Sequence, residues 1–130
     1  MIKVGLVGYG KAGQAVAQVL QSDPRFELCW VARKSALQAA TVPDTAIPLV
    51  SLAAEDWAPW LDAHPVDALV DFSQADSLHA YGEAMAQRQI MLVSAISAYS
   101  EADLAYARTL GQRTRVMCSP NITVGINFLI

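Results

Sequence analysis

The sequence is poor in the residues that would build a metal centre, a disulfide scaffold or a nucleic-acid surface. It holds two cysteines and two histidines in 130 residues. Cys29 in "FELCWVA" and Cys118 in "TRVMCSP" lie in apolar, strand-like stretches without a partner at ligand spacing, so both are expected as buried free thiols. His64 and His79 stand far apart and belong to no ligating pattern, which points to surface or helix-end positions and to no metal. Positive charge is also scarce. Nine Lys and Arg stand against twelve Asp and Glu, a net charge of −3, where a nucleic-acid partner would call for a clustered basic field. No apolar run approaches the roughly 20 residues needed to cross a bilayer, and Met1-Ile2-Lys3 leads straight toward a glycine-rich turn instead of a signal-peptide core. The expected setting is the cytoplasm, with no membrane partner. Internal repeats and low-complexity tracts are absent too.

What the chain does have is 54% hydrophobic against 16% charged residues, which suits one compact domain with a full core. "KVGLV" at Lys3 to Val7 predicts a short strand. Gly10 onward predicts a helix with Ala12, Val16, Val19 and Leu20 on its apolar face, stopped by Asp23-Pro24. "RFELCWVARK" at Arg25 to Lys34 predicts a second strand and completes a βαβ unit. Polar, small residues follow to Ala46, and "IPLVSL" is a short candidate third strand. Trp57, Trp60 and Leu61 recur at helical spacing as packing residues, with Pro59 tolerable only in a first turn or at a break. "VDALVDFS" and "QIMLVSA" predict two buried strands, and "RTRVMCS" a last one. Between them, Ser73 with Asp76 and Ser100 with Asp103 form capping pairs. The helices they open carry Leu78, Tyr81 and Met85, then Leu104, Ala107 and Leu110, with Gly111 placed to end the second. Strands alternating with helices imply a doubly wound, mostly parallel α/β sheet.

"LVGYGKAGQ" then acquires meaning from its context. The triplet Gly8, Gly10 and Gly13 follows a strand, opens a helix and lies inside a βαβ unit, the setting of a Rossmann-like dinucleotide-binding domain. In that reading Gly8 permits the tight turn, Gly10 admits a pyrophosphate close to the backbone, and Gly13 lets helix and strand pack closely. The helix N-terminus favours the diphosphate, and Lys11 either adds a cation there or is simply solvated. About 20 residues on, where an NAD site commonly holds an acid for the ribose, this chain has Arg33 and Lys34. A guanidinium can grip a 2′-phosphate that a carboxylate would repel, so NADP(H) is the expected cofactor, with NAD(H) possible. Asp71 to Ser73, Ala95 to Ser97 and Ser119 to Asn121 each end a predicted strand at the ligand-binding edge. Asp71 is read as organising its own turn before it is read as an acid or base. Asn121 either orients a polar ligand or makes a turn.

Taken in order, "VGYGKAGQ", "LVDFSQADS", "AYSEADL" and "SPNITVGINFL" resemble the amino-terminal half of the dihydrodipicolinate reductase family, over nearly the whole chain. The resemblance implies a reductase that passes a hydride from NADH or NADPH to the cyclic precursor of tetrahydrodipicolinate, in diaminopimelate and lysine biosynthesis. It assigns Gly8, Gly10, Lys11 and Gly13 to the cofactor's diphosphate, with Tyr9 and Ala12 also cofactor-binding, and Arg33 and Lys34 to the adenosine ribose side. Phe72 and Ser73 fall at the middle of the dinucleotide, with Ala95, Ser97, Ser119 and Asn121 on the neighbouring loops. Where the family has Gly-Thr-Thr-Gly, this chain reads Ala95-Ile96-Ser97-Ala98, and Ala in place of Gly restricts φ and close approach. The family's second-domain His-His and Lys motif does not occur here, and the chain ends on the apolar "GINFLI". The expectation is therefore a cofactor domain cut from a longer protein that is homo-oligomeric when full length. No catalytic residue is assigned within the 130, which should bind cofactor without turning over the small-molecule substrate alone. Alternatives are the cofactor domain of diaminopimelate or another amino-acid dehydrogenase, and a non-catalytic nucleotide-binding, redox-sensing module. An apolar face around Phe128 to Ile130 would favour self-association.

Overall fold

The computed structural model describes residues 1–34, 40–52, 56–95 and 100–118. The strands are β1 (Ile2–Val7), β2 (Phe26–Arg33), β3 (Leu49–Ser51), β4 (Ala68–Asp71), β5 (Met91–Ser94) and β6 (Val116–Cys118). The helices are α1 (Lys11–Ser22), α2 (Trp57–Ala63), α3 (Leu78–Gln87) and α4 (Glu101–Gly111), with a single 3-10 turn at Ala75–Ser77. Among the described residues six strands lie in the order β3-β2-β1-β4-β5-β6, and every pairing between them is parallel, in keeping with the expected doubly wound sheet. No helix among the described residues is long and apolar enough to cross a membrane. The expected face at Phe128 to Ile130 and the side chain of Cys118 lie outside the described residues.

Parallel strands are buried on both faces, which is why β4 reads as the continuous run Ala-Leu-Val-Asp with all four residues buried. On one face α1 packs Val16, Ala17 and Leu20 against Val4, Leu6, Val31 and Val70. On the other, Trp57 and Leu61 of α2, Tyr81 and Met85 of α3 and Leu110 of α4 close over Val7, Trp30, Leu69 and Leu92. The buried face of α1 is Gly13, Val16, Ala17 and Leu20, whereas Ala12 is exposed and Val19 half-buried. That face is rotated from the expected one because Gly13 must lie against the end of β1. Pro59 sits in the first turn of α2, where a missing N–H breaks no intrahelical bond. The tryptophans pack as expected: Trp30 has its ring centroid 5.4 Å from that of Trp57 and 6.1 Å from that of Trp60. Space for the Trp30 indole comes from Gly5, where an added Cβ would stand 2.3 Å from the ring.

Cys29 departs from the expectation of a buried thiol. The β1–β2 register steps from Val4 opposite Leu28 to Gly5 opposite Trp30, so Cys29 is the extra residue of a β-bulge. The bulge turns Leu28 to the α1 face and Trp30 to the opposite one, and leaves Cys29 only half-buried beside Glu27. Partial burial and the Glu27 carboxylate push its thiol up to about 11, so it stays protonated and weakly reactive at neutral pH. Both histidines lie where expected: His64 is the C-cap of α2, and His79 sits exposed in the first turn of α3.

The two capping pairs part company. Ser100 accepts the Asp103 N–H at 3.1 Å and caps α4 as the pattern predicts. Ser73 does not act as a cap: its N–H and hydroxyl donate to Asp71, its oxygen meets the Ser77 hydroxyl at 2.7 Å, and α3 begins only after the 3-10 turn, at Leu78.

Candidate functional site

The strand order reverses direction between β1 and β4, and in doubly wound sheets the crevice above such a reversal, at the carboxyl ends of the strands, is where ligands bind. Three glycines shape it here. Gly8 leaves β1 with φ +105°, and a Cβ on it would lie 2.8–2.9 Å from backbone atoms of Phe72 and Ser73, so the turn and the loop after β4 are in direct contact. A Cβ on Gly13 would meet the Gly8 carbonyl oxygen at 2.2 Å. Gly10 differs from both: nothing lies within 4 Å of the place its Cβ would take. It is the N-cap of α1, with no side-chain cap and no acidic residue in the first turn. The first N–H of α1 to find a helical acceptor is that of Gln14, on the Gly10 carbonyl at 2.9 Å, so the amides before it remain for another acceptor.

Above this turn lies an open cleft of about 440 Å³. Its floor is Gly8, Tyr9 and Gly10, one bank is Arg33 and Lys34 at the end of β2, and the other is Phe72, Ser73 and Gln74 after β4. Seven of the residues singled out from sequence thus converge on one space. Lys11, Ala12 and Gly13 form the adjoining first turn of α1, and Ala95 stands at the same sheet edge, donating its N–H to the Asp71 carbonyl at 3.0 Å. Ser97, Ser119 and Asn121 lie outside the described residues.

Asp71 is fully buried where β4 ends. Its Oδ1 accepts the Ser73 N–H at 2.8 Å and the Ser73 hydroxyl, and its Oδ2 accepts the Tyr81 hydroxyl. Burial pushes the carboxyl above its ordinary range, opposed by these hydrogen bonds. The side chain therefore fixes the loop that forms one bank, which is the turn-organising role read from sequence.

Two contributors were not legible in the sequence. Gln74 lines the cleft, and Lys34 Nζ reaches across to Gln74 Oε1 at 2.8 Å and to the Asp76 carboxylate at 2.8 and 3.0 Å. Asp76, expected as a capping partner of Ser73, is instead held below its usual range by this lysine. These partners are about 40 residues apart, and no local pattern announces them.

The family model described as "Dihydrodipicolinate reductase, N-terminus" matches residues 2–122. The chain belongs to this family. A 4-hydroxy-tetrahydrodipicolinate reductase from Laribacter hongkongensis (strain HLHK9) is 27% identical over 124 residues, 91% of this chain and 45% of that protein. The chain spans less than half the length of that curated relative. Among solved structures, the dipicolinate-bound dihydrodipicolinate reductase from Paenisporosarcina sp. TG-14 has a TM-score of 0.66 at 17% identity, over 93% of this chain and 48% of that one. An engineered D-amino acid dehydrogenase bound to NADP+ has a TM-score of 0.56 at 22% identity, over 86% and 32%. At these identities the two structures carry the fold. Membership of the dihydrodipicolinate reductase family rests on the family model.

Proposed function

We propose that this chain is the NADP(H)-binding part of a reductase that acts on the cyclic precursor of tetrahydrodipicolinate. The observation that carries the cofactor reading is the uncapped, unobstructed Gly10 N-terminus of α1 directly below the Arg33–Lys34 bank. The residues suit a dinucleotide. The amides of Lys11 to Gly13 would take the diphosphate, where the helix end carries partial positive charge. Arg33 would take a 2′-phosphate through charge-assisted hydrogen bonds, Phe72 would offer an apolar wall, and Ala95, Ser97, Ser119 and Asn121 would border the nicotinamide side. When bound, the nicotinamide supplies a hydride. The chain's part is to hold the dinucleotide along the sheet edge, with Asp71 keeping the Phe72–Ser73 bank in position.

Reduction itself would need groups outside these 130 residues. Hydride transfer requires donor and acceptor held in near-attack geometry, and the family's His-His and Lys motif is not in this sequence. The decisive experiment is calorimetric titration with NADPH and with NADH at equal ionic strength. The reading expects tighter NADPH binding, with the preference lost in Arg33→Ala. Equal affinity for both would remove the NADP(H) preference, and binding of neither would remove the cofactor reading.

A further inference from the structure

The two banks of the cleft are tied together at the Arg33–Lys34 end. Lys34 starts at the end of β2, yet its ammonium sits on the opposite side, on Gln74 and on Asp76 of the 3-10 turn. Lys34 and Gln74 both line the cleft, so the contact straddles it. The ion pair is open to water, with side-chain exposures of 47% for Lys34 and 67% for Asp76. Such pairs exchange readily and add little to stability. Their effect on a ligand differs, because a basic pair on one bank is matched to a dianion only while both cations are available to it. With Asp76 on Lys34, the bank presents less positive charge to an incoming phosphate.

Resting on the reading that the cleft holds a nicotinamide dinucleotide, we infer that Asp76 is a specificity-determining residue acting through Lys34. By keeping the ammonium on the Gln74 side, it restrains affinity for the 2′-phosphorylated dinucleotide relative to the unphosphorylated one. A 2′-phosphate binds by displacing the carboxylate from Lys34, exchanging one ion pair for another. Gln74 is the neutral partner that steadies the ammonium in either state, and Arg33 supplies the part of the recognition that Asp76 does not gate.

The test is titration of wild type, Asp76→Asn, Lys34→Gln and the double variant with NADPH and NADH at low and at high salt. Release of an exposed lysine to a phosphate corresponds to roughly three- to fivefold in affinity. Asp76→Asn should tighten NADPH by that factor at low salt and leave NADH nearly unchanged. The gain should shrink at high salt and vanish in the Lys34→Gln background. An unchanged NADPH to NADH ratio in Asp76→Asn, with both nucleotides bound, overturns the inference and leaves the cofactor reading standing. A gain that persists without Lys34 also overturns it, since Asp76 would then act by direct repulsion. Failure of all four chains to bind either nucleotide overturns the cofactor reading, and this inference with it.

Discussion

Replacing Gly13 by Ala should destabilise the fold, against the ordinary trend for a glycine inside a helix. Helix propensity alone favours Ala by about 1 kcal/mol. The new methyl, however, would stand 2.2 Å from the Gly8 carbonyl oxygen and 2.7 Å from its carbon, where ordinary contact begins at 3.4 Å. Both obstacles are backbone atoms of a turn that is itself pressed against Phe72 and Ser73, so the start of α1 must move by more than an ångström. Overpacking of this kind costs about 1–3 kcal/mol, and its upper range applies where rotamer changes cannot relieve it. The net expectation is a loss of about 1–2 kcal/mol, read in thermal unfolding as a Tm lower by roughly 4–8 °C. Gly10→Ala is the matched control. Its methyl meets nothing within 4 Å, and its φ of −76° suits Ala, so only the ordinary N-cap preference for Gly over Ala is lost, a cost of about 0.5–1 kcal/mol. That same methyl would project where the dinucleotide's diphosphate is proposed to lie and should weaken NADPH binding by about tenfold or more. A Gly13→Ala chain as stable as wild type, or more so, would refute the close packing of helix on turn.

Other outcomes follow from the buried groups. Tyr81→Phe removes a donor from the buried Asp71 carboxylate and should cost about 1.5–3 kcal/mol in urea unfolding at neutral pH; a loss near zero would mean that the hydroxyl is not engaged. Asp71 has its folded pKa raised by burial, so its ionisation weakens the folded state as pH rises from the ordinary carboxylate range through the raised value. Asp71→Asn cannot ionise, so its stability relative to wild type should improve as pH rises above about 4; a relative stability that falls with rising pH would contradict the assignment. Leu92→Ala, at a fully buried site in the middle of β5, should cost about 2–5 kcal/mol, and a cost below 1 kcal/mol would deny it a core position.

The parts of this fold that were legible in sequence are those written locally. The glycine turn, the buried strands and the face of α3 each declare themselves within a dozen residues. The Ser100–Asp103 cap does so too. Where tertiary partners intervene, local patterns mislead. Ser73 has the spacing of a cap, but the buried Asp71 carboxylate and the Ser77 hydroxyl hold its side chain in place. The apolar run of β2 suggests a buried Cys29, but a bulge, visible only in the register against β1, leaves it half-buried. Helical periodicity offers Ala12 and Val19 to the core, and the contact of Gly13 with Gly8 selects Gly13 and Ala17 instead. The floor and, apart from Gln74, both banks of the candidate site were readable, since their residues flank strand ends. The Lys34–Asp76 tie was not, since only the sheet order brings those strand ends together.

The central claim, that the cleft over the glycine turn holds a nicotinamide dinucleotide, is tested most directly by following backbone amide resonances of ¹⁵N-labelled chain during NADPH titration. The account predicts saturable shifts at Gly8 to Gly13, Arg33 and Lys34, and Phe72 to Gln74, with Lys3, Cys29 and Gln89 at the opposite sheet edge unmoved. Shifts centred on that opposite edge, or none at millimolar NADPH, would contradict it.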